Sequence, residues 1–147
     1  MAQTPKNPDY AAVVRESFAR QTMMSSMGAS IVRIAPGEVD LEMPHAPAFC
    51  QQNGYLHAGA TASLADSANG YAALTLAPAG SDVLAVEFKI NLLAPARGEG
   101  FIARGRVVRA GRTLTVCLAD VHARENGKET LIATMLSTNV IRPLDRS

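Results

Sequence analysis

The sequence predicts an α+β fold, with an antiparallel β-sheet packed around one long central α-helix and a short helix before it. After Gly59 no proline occurs until Pro78, and six alanines, the best helix formers, lie between them at 60, 62, 65, 68, 72 and 73. Residues 84–92 alternate apolar and polar side chains with a period of two, which is typical of a strand. Proline or glycine turns then separate three more extended segments, so several antiparallel strands follow one long helix.

The chain is expected to begin with a flexible arm, residues 1–8, because it contains Pro5 and Pro8. Residues 9–147 are expected to form a single domain, since this length can bury one sizeable core. From Asp9 the apolar residues recur with helical spacing as far as Gly28, which predicts the short N-terminal helix.

Two extended segments, 30–35 and 38–43, flank the turn signal Pro36–Gly37 and predict a β-hairpin. The segment 44–47 begins and ends with proline, so we expect an irregular loop that brings Gln51 to the start of the central helix.

Within the central helix one stripe of side chains is apolar and predicts the core-facing side. Its members are Leu56, Ala60, Leu64, Tyr71 and Leu74. Asp66 lies off this stripe, with small or polar neighbours three and four residues away, so its carboxylate is expected close to an interface. A solvated surface carboxylate is the alternative interpretation of this residue.

After the helix, strands are predicted at 84–92, 101–109, 113–124 and 129–141. Pro95, Gly98 and Gly111 mark the first turns, and Asn126–Gly127 is a strong hairpin signal. We expect these four strands to form a consecutive antiparallel meander.

Composition narrows the function classes. With 14 basic and 13 acidic residues the chain lacks the charge excess of a broad nucleic-acid-binding surface. No apolar run is long enough to cross a bilayer and the N-terminus lacks a secretory pattern, so we expect a cytoplasmic protein with no membrane partner. Cys50 and Cys117 form no disulfide framework, and the three histidines lack metal-ligand spacing. We therefore expect neither a metal nor a bound cofactor.

A motif spans the entrance to the central helix. Its residues are Gln51, Asn53, Gly54, His57, Ala58, Gly59, Leu64, Ala65, Asp66 and Gly70. This motif resembles that of the hotdog-fold acyl-CoA thioesterases of the phenylacetate-degradation (PaaI-like) type. Residues 86–99 resemble the central strand and proline-containing turn of the same family, and the resemblance covers roughly residues 31–140.

The resemblance implies a hotdog fold and an enzyme that hydrolyses a medium-chain or aryl acyl-CoA to free acid and CoA. It implies that coenzyme A enters only as part of the substrate. It also implies a homodimer with shared active sites, assembled further into a homotetramer.

Helix N-terminal amides can stabilise an oxyanion, and the amides in the expected place are those of Ala58 and Gly59. The resemblance assigns Asp66 as general base or nucleophile, adds Gln51 to the oxyanion site, and leaves a direct role for His57 open. Asn53 and Gly54 fall in the substrate-binding part of the motif.

Three positions depart from the family pattern. Gln51 stands where Asn is common, Ala58 follows the histidine in place of glycine, and Ala85 occupies a position where some relatives carry Ser or Thr. Four basic residues in or near turns are candidates for contacting CoA phosphates. They are Arg97, Arg109, Arg112 and Lys128.

Two other functions remain open. A non-catalytic acyl-CoA-binding module fits Ala58 and Ala85, since both departures are expected to weaken turnover. An enoyl-CoA hydratase or dehydratase of the same fold would need His57 to act together with an acidic group.

Overall fold

The computed structural model describes residues 3–145, which form one antiparallel sheet packed on a long helix. The strands are β1 (Ser30–Ala35), β2 (Glu38–Pro44), β3 (Ser81–Leu92), β4 (Gly100–Ala110), β5 (Leu114–Glu125) and β6 (Lys128–Pro143). The helices are α1 (Tyr10–Arg20), α2 (Thr22–Ser26) and α3 (Ala58–Leu74), with a 3₁₀ turn at Pro47–Phe49. The predicted α+β architecture, with its long central helix and short N-terminal helix, is confirmed, although Gln21 divides the N-terminal helical segment in two.

The predicted meander of four consecutive strands is wrong. The strand order is β1-β2-β4-β5-β6-β3, so β3 pairs with β6 at the sheet edge and β4 pairs with β2. Residues 93–99 do not form a tight turn but cross the ends of β6 and β5, where Leu93 N–H bonds to Ile132 O (2.8 Å) and Glu99 N–H to Arg124 O (2.8 Å). Alternation of side chains identifies a strand but not its neighbour, which is why the sequence pattern failed here.

Helix α3 lies across one face of the sheet and supplies the centre of the core. Leu64, Ala65 and Ala68 are fully buried there. They belong to a cluster that includes Leu41 of β2, Phe101 of β4, Val121 of β5 and Met135 of β6. All five residues of the predicted apolar stripe are buried, and each large side chain contributes about 1.5–3 kcal/mol of hydrophobic stabilisation.

Gly105 on β4 marks the closest approach of α3 to the sheet. A Cβ atom placed on this glycine would lie 2.5 Å from the carbonyl carbon of Ala68 and 2.9 Å from the nitrogen of Asn69. No side chain larger than hydrogen fits between the two backbones without moving one of them.

Strand β3 forms one edge of the sheet and exposes an apolar surface. Its pairing with β6 shifts between Ala85 and Glu87, leaving Val86 as a bulge. Because of this shift, Leu84 faces the side of the sheet opposite to Phe88 and Leu92, although the sequence pattern placed all three on one face. Val86, Phe88 and Leu92 are 58%, 45% and 57% exposed.

The N-terminal segment packs against the domain from residue 3 onward. Val14 of α1 and Met24 of α2 are completely buried in the core. Within the predicted flexible arm, Gln3 donates from Nε2 to Val107 O (3.0 Å) and Asn7 is buried. Residues 1 and 2 of that arm lie outside the described residues. None of the helices in residues 3–145 is long and apolar enough to cross a membrane.

Candidate active site

The N-terminus of α3 leaves one backbone amide free. His57 is the N-cap, and its Nδ1 accepts a hydrogen bond from Gly59 N–H (2.7 Å). The amides of Ala60 and Thr61 both bond to His57 O at 3.0 Å. Among residues 3–145 the Ala58 N–H meets no acceptor, although helix N-termini normally have their amides satisfied by caps, water or ligands. Of the two expected amides, that of Gly59 is therefore occupied by His57, whereas that of Ala58 has no acceptor among residues 3–145.

Gln51 presents a second donor beside Ala58. Its Oε1 accepts hydrogen bonds from the amides of Asn53 and Tyr55, which closes a turn in which Gly54 has a φ of 85°. With Oε1 committed to the turn, the Nε2 group has no acceptor within the described chain and remains available as a donor. Asn53 and Gly54 thus build the turn that holds Gln51, and both are exposed.

A cavity of about 450 Å³ opens at this end of the helix, and we call it the amide cavity. Gln51 and Ala58 line it together with mostly apolar residues from β3, from β6 and from residues 93–99, which we call the crossing segment. These are Leu92, Leu93, Ala94, Pro95, Ala96 and Ile132. Leu56, just before α3, adds a further apolar side chain, and Tyr55 and Thr61 complete the wall. The crossing segment supplies much of this wall because Leu56 N–H bonds to Ala96 O (3.0 Å).

Asp66 lies in a different cavity of about 240 Å³, which we call the carboxylate cavity. Its Oδ1 is buried and has no hydrogen-bond partner in residues 3–145, nor does Asp66 form an ion pair there. Burial raises the pKa of the Asp66 carboxyl above its usual value. A partly buried, unpaired carboxylate with a raised pKa facing a cavity is typical of a functional acid or base.

The two cavities of one chain have no lining residue in common. Ala58 and Asp66 lie on the same helix, eight residues and therefore about 12 Å apart along its axis. An oxyanion donor must lie about 2.7–3.1 Å from the reacting oxygen, and a base within similar reach of the attacking group. One chain therefore cannot apply both groups to a single carbonyl.

The four candidate basic residues divide between the ends of the sheet. Arg97 follows the wall of the amide cavity in sequence and forms an ion pair with Glu125 at 3.5 Å. Lys128 is close by, because it lies opposite Glu125 in the β5–β6 hairpin. Arg109 and Arg112 lie at the β4–β5 turn, at the other end of β5, about 36 Å away at 3.3 Å per residue. The structure therefore does not bring the four together within one chain.

Other reactive side chains lie outside both cavities. Cys50 Sγ contacts His45 Nε2 and Ala46 O, each at 3.3 Å. Cys117 is buried in the core, which raises the pKa of its thiol to about 12. Both cysteines are free, as expected, and in residues 3–145 no three His, Cys, Asp or Glu side chains are grouped to hold a metal ion. The expected absence of metal and cofactor stays a prediction.

Several lining residues had no signal in the sequence. Thr61 is buried against the amide cavity, while Gln21, Ser67 and Asn139 line the carboxylate cavity. Gln21 and Asn139 are far from the motif in sequence and reach the site only through the packing of α2 and β6 against α3. Ser67 is next to Asp66 and could have been singled out by that position alone.

A six-stranded antiparallel sheet wrapped around one long central helix defines a hotdog domain. The chain belongs to the thioesterase superfamily, whose family model matches residues 53–130. The predicted family and the hotdog fold are confirmed, and the protein is a thioester hydrolase.

Individual relatives agree with this assignment. The crystal structure of a thioesterase family protein from Silicibacter pomeroyi matches 92% of this chain and 99% of its own chain, with a TM-score of 0.91. The two sequences are 49% identical. Human acyl-coenzyme A thioesterase 13 is 31% identical over 67% of this chain and 71% of its own length. The PaaI protein from the phenylacetic acid degradation operon of E. coli, at 17% identity, has a TM-score of 0.81 over 90% of this chain and 92% of its own, which shows a common fold.

Proposed function

We propose that this protein is an acyl-CoA thioesterase that hydrolyses a medium-chain or aryl acyl-CoA, in an active site built by two copies of the chain. One observation supports the proposal most directly. The free Ala58 N–H and the partnerless Asp66 carboxylate are on one helix, yet they open into separate cavities. Each chain thus carries two complementary halves of a thioester-cleaving site.

The exposed edge of β3 explains how the halves would meet. A long apolar edge strand is an unprotected surface that natural proteins normally cover. Two β3 edges paired about a two-fold axis run antiparallel. Leu92 and Leu93, at the end of β3, line the amide cavity, and residues 82–85, near its start, line the carboxylate cavity. The two-fold pairing therefore places Ala58 and Gln51 opposite the partner's Asp66.

The reaction follows from these groups. The thioester carbonyl oxygen accepts hydrogen bonds from Ala58 N–H and Gln51 Nε2, which stabilise the negative charge that develops as the carbonyl is attacked. The partner's Asp66 takes one proton from a water molecule while the water oxygen bonds to the acyl carbon. The carbon–sulfur bond then breaks, and the proton on Asp66 passes to the CoA thiolate, so acyl-CoA and water give the carboxylic acid and CoA thiol.

The raised pKa of Asp66 suits a general base. A carboxylate with a higher pKa accepts a proton more readily, and the buried Oδ1 of Asp66 has no competing partner among residues 3–145. Direct attack by Asp66 on the acyl carbon is the alternative. Direct attack forms a mixed anhydride as the carbon–sulfur bond breaks, and single turnover in ¹⁸O-water leaves ¹⁸O in the Asp66 carboxylate when water opens that anhydride at the Asp66 carbonyl. General-base catalysis leaves ¹⁸O only in the product acid, so label in Asp66 would identify direct attack.

The walls of the amide cavity suit an apolar acyl group, because eight of its lining residues are aliphatic or proline. Arg97 and Lys128 lie at that end of one chain, and Arg109 and Arg112 lie at the carboxylate end. In a shared site both pairs lie near one CoA molecule, and we propose that residues from both chains contact its phosphates. By analogy with PaaI-like proteins we also propose a cytoplasmic pair of dimers that uses no cofactor.

The test is release of free CoA thiol from short-chain, medium-chain, long-chain and aryl acyl-CoA substrates by the parent protein and by Asp66→Asn. We expect turnover by the parent with medium-chain or aryl substrates and a loss of about 10³-fold in Asp66→Asn. Asp9→Asn is a matched control, because Asp9 is exposed and its side chain caps nothing.

Two outcomes would favour other functions. Saturable acyl-CoA binding without thiol release by the parent would favour the binding module. Water addition to an enoyl-CoA would favour the hydratase, although His57 Nδ1 already accepts the Gly59 amide and only its Nε2 is free for such a role. Full hydrolysis by Asp66→Asn would contradict the mechanism.

A further inference from the structure

A chain of hydrogen bonds lies beside Asp66. Its residues are separate from Ala58, Gln51 and Asp66, which bind the oxyanion and accept the proton in the proposed reaction. Ser67 Oγ donates to Gln21 Oε1 (3.0 Å), and Gln21 Nε2 donates to the Tyr71 hydroxyl (2.9 Å). The Tyr71 hydroxyl also contacts Ser17 Oγ at 3.4 Å. All four residues line the carboxylate cavity together with Asp66.

This chain fixes the direction of the Ser67 hydroxyl. Because Gln21 commits its NH₂ group to Tyr71, its carbonyl oxygen faces Ser67 and can only accept. The Ser67 proton therefore points at Gln21, and both lone pairs of Ser67 Oγ remain. Within residues 3–145 no other donor reaches them, so Ser67 is a fixed acceptor on the cavity wall.

Two buried oxygens in this cavity have no hydrogen-bond partner among residues 3–145, so ordered water is the partner we infer for them. They are Asp66 Oδ1 on α3 and Asn139 Oδ1 on β6, and both residues line the cavity. Burying an unpaired carboxylate or amide oxygen is costly, and such groups are normally satisfied by protein or by water. A cavity of about 240 Å³ is large enough for several water molecules.

We propose that Ser67, positioned by Gln21, holds the hydrolytic water beside Asp66. The inference rests on the proposed function. The water donates one hydrogen to the Asp66 carboxylate and the other to Ser67 Oγ, so its lone pair is directed at the acyl carbon. During attack the first hydrogen passes to Asp66 as the new carbon–oxygen bond forms, and the second stays on the oxygen of the product acid. Ser67 is therefore a catalytic residue and Gln21 a positioning residue.

The competing explanation is structural: the Ser67–Gln21 bond would only fasten the α1–α2 junction to α3. A fastening role predicts loss of thermal stability and of substrate binding together with activity. A water-holding role predicts loss of kcat alone, because the water is not needed to bind acyl-CoA. The two explanations therefore separate in the kinetic constants.

The experiment compares Ser67→Ala, Ser67→Thr, Gln21→Met and the control Ser63→Ala in the full-length protein. Ser63 is one turn earlier on α3, and its hydroxyl bonds only to Gly59 O (2.7 Å). The readouts are kcat and KM with the best acyl-CoA of the parent, Tm, and acyl-CoA affinity measured in an Asp66→Asn background. We expect Ser67→Ala to lower kcat about 10- to 100-fold with KM within about twofold, the size typical of a misplaced reacting group.

Gln21→Met keeps the side-chain volume but releases the Ser67 hydroxyl, so kcat should fall about 3- to 10-fold. Ser67→Thr keeps the hydroxyl and should retain kcat within about threefold. The inference is overturned if Ser67→Ala keeps parental kcat, if Ser63→Ala loses as much, or if Tm and acyl-CoA affinity fall with activity. If Asp66→Asn loses activity in any of these cases, the proposed function stands and only the role of Ser67 fails.

Discussion

The two cavities that flank α3 differ in almost every physical respect. The amide cavity has apolar walls and two fixed donors, Ala58 N–H and Gln51 Nε2, whose positions are set by a helix cap and a closed turn. The carboxylate cavity has polar walls and a buried oxygen on Asp66 that the fold leaves unpaired. In the proposed mechanism the apolar cavity stabilises the oxyanion and the polar cavity activates water, so the two tasks have opposite surroundings. A single chain keeps them about 12 Å apart on one helix, and a dimer can join them.

The largest expected effect on activity comes from removing the free amide of Ala58. Ala58→Pro removes the N–H without straining the start of the helix, because proline is favoured at the first helical position and His57, with φ −61° and ψ 142°, already has the backbone that precedes proline. We expect kcat to fall about 10²- to 10³-fold while Tm stays unchanged. Thiol-release kinetics and a thermal melt check this. Ala58→Ser keeps the amide and is the control; equal losses in both variants would refute the role of the N–H.

Mixed dimers test whether the halves belong to different chains. Asp66→Asn subunits keep the amide half and Ala58→Pro subunits keep the carboxylate half, so a heterodimer contains one intact site and one doubly defective site if sites are shared. Heterodimers purified through two different affinity tags should recover about half of the parental activity, although each parent homodimer is nearly inactive. No recovery would mean that each site is built by a single chain.

The pH dependence of kcat/KM should reflect the carboxylate cavity. Asp66 must be ionised to accept the proton of water, and burial raises its pKa, so the acid limb should lie at higher pH than the ordinary Asp value of about 3.9. Below that limb the rate should fall about tenfold per pH unit. Asp82→Asn controls for the second carboxylate in this cavity and should leave the limb in place. An acid limb at or below about pH 4, the unperturbed value of an aspartate, would contradict the assignment.

The smallest expected effect is a gain of stability when Asp66 loses its charge. Because the pKa of Asp66 is higher in the folded protein than in the unfolded chain, stability falls as pH rises through the interval between the two values. Above that interval Asp66→Asn should be more stable than the parent by about 1 kcal/mol, or 2–4 °C in Tm. Below about pH 3, where the parent carboxyl is mostly protonated in both states, the difference should become small. Thermal melts of the parent and of Asp66→Asn at neutral pH and at acidic pH check the sign of this stability difference. A variant less stable than the parent at neutral pH would contradict the expectation.

The sequence predicted α3 and its buried stripe because alanine content, proline-free length and apolar spacing all agree on one helix. The partner of β3 was not predictable, since alternation of side chains says nothing about which strand lies beside it, and the bulge at Val86 left no signal. Asp66 was open to two interpretations until the resemblance assigned it a role. Gln21 and Asn139 join the carboxylate cavity only through the packing of α2 and β6 on α3. Local patterns therefore describe the elements, while the cavities depend on contacts between distant segments.

The contact at Gly105 sets the position of α3 on the sheet, and with it the positions of the proposed catalytic groups, although Gly105 lines neither cavity. This glycine lets β4 reach the backbone of Ala68, two residues from Asp66. A single methyl group there would push α3 from the sheet and displace its first amide and its carboxylate in the same movement. In the proposed dimer each site takes its amide from one subunit and its carboxylate from the other. A substitution at Gly105 is present in both subunits and would therefore displace both groups in every site. We expect this position to tolerate glycine alone, because a Cβ atom has no room there and because the proposed dimer would carry the displacement in both subunits.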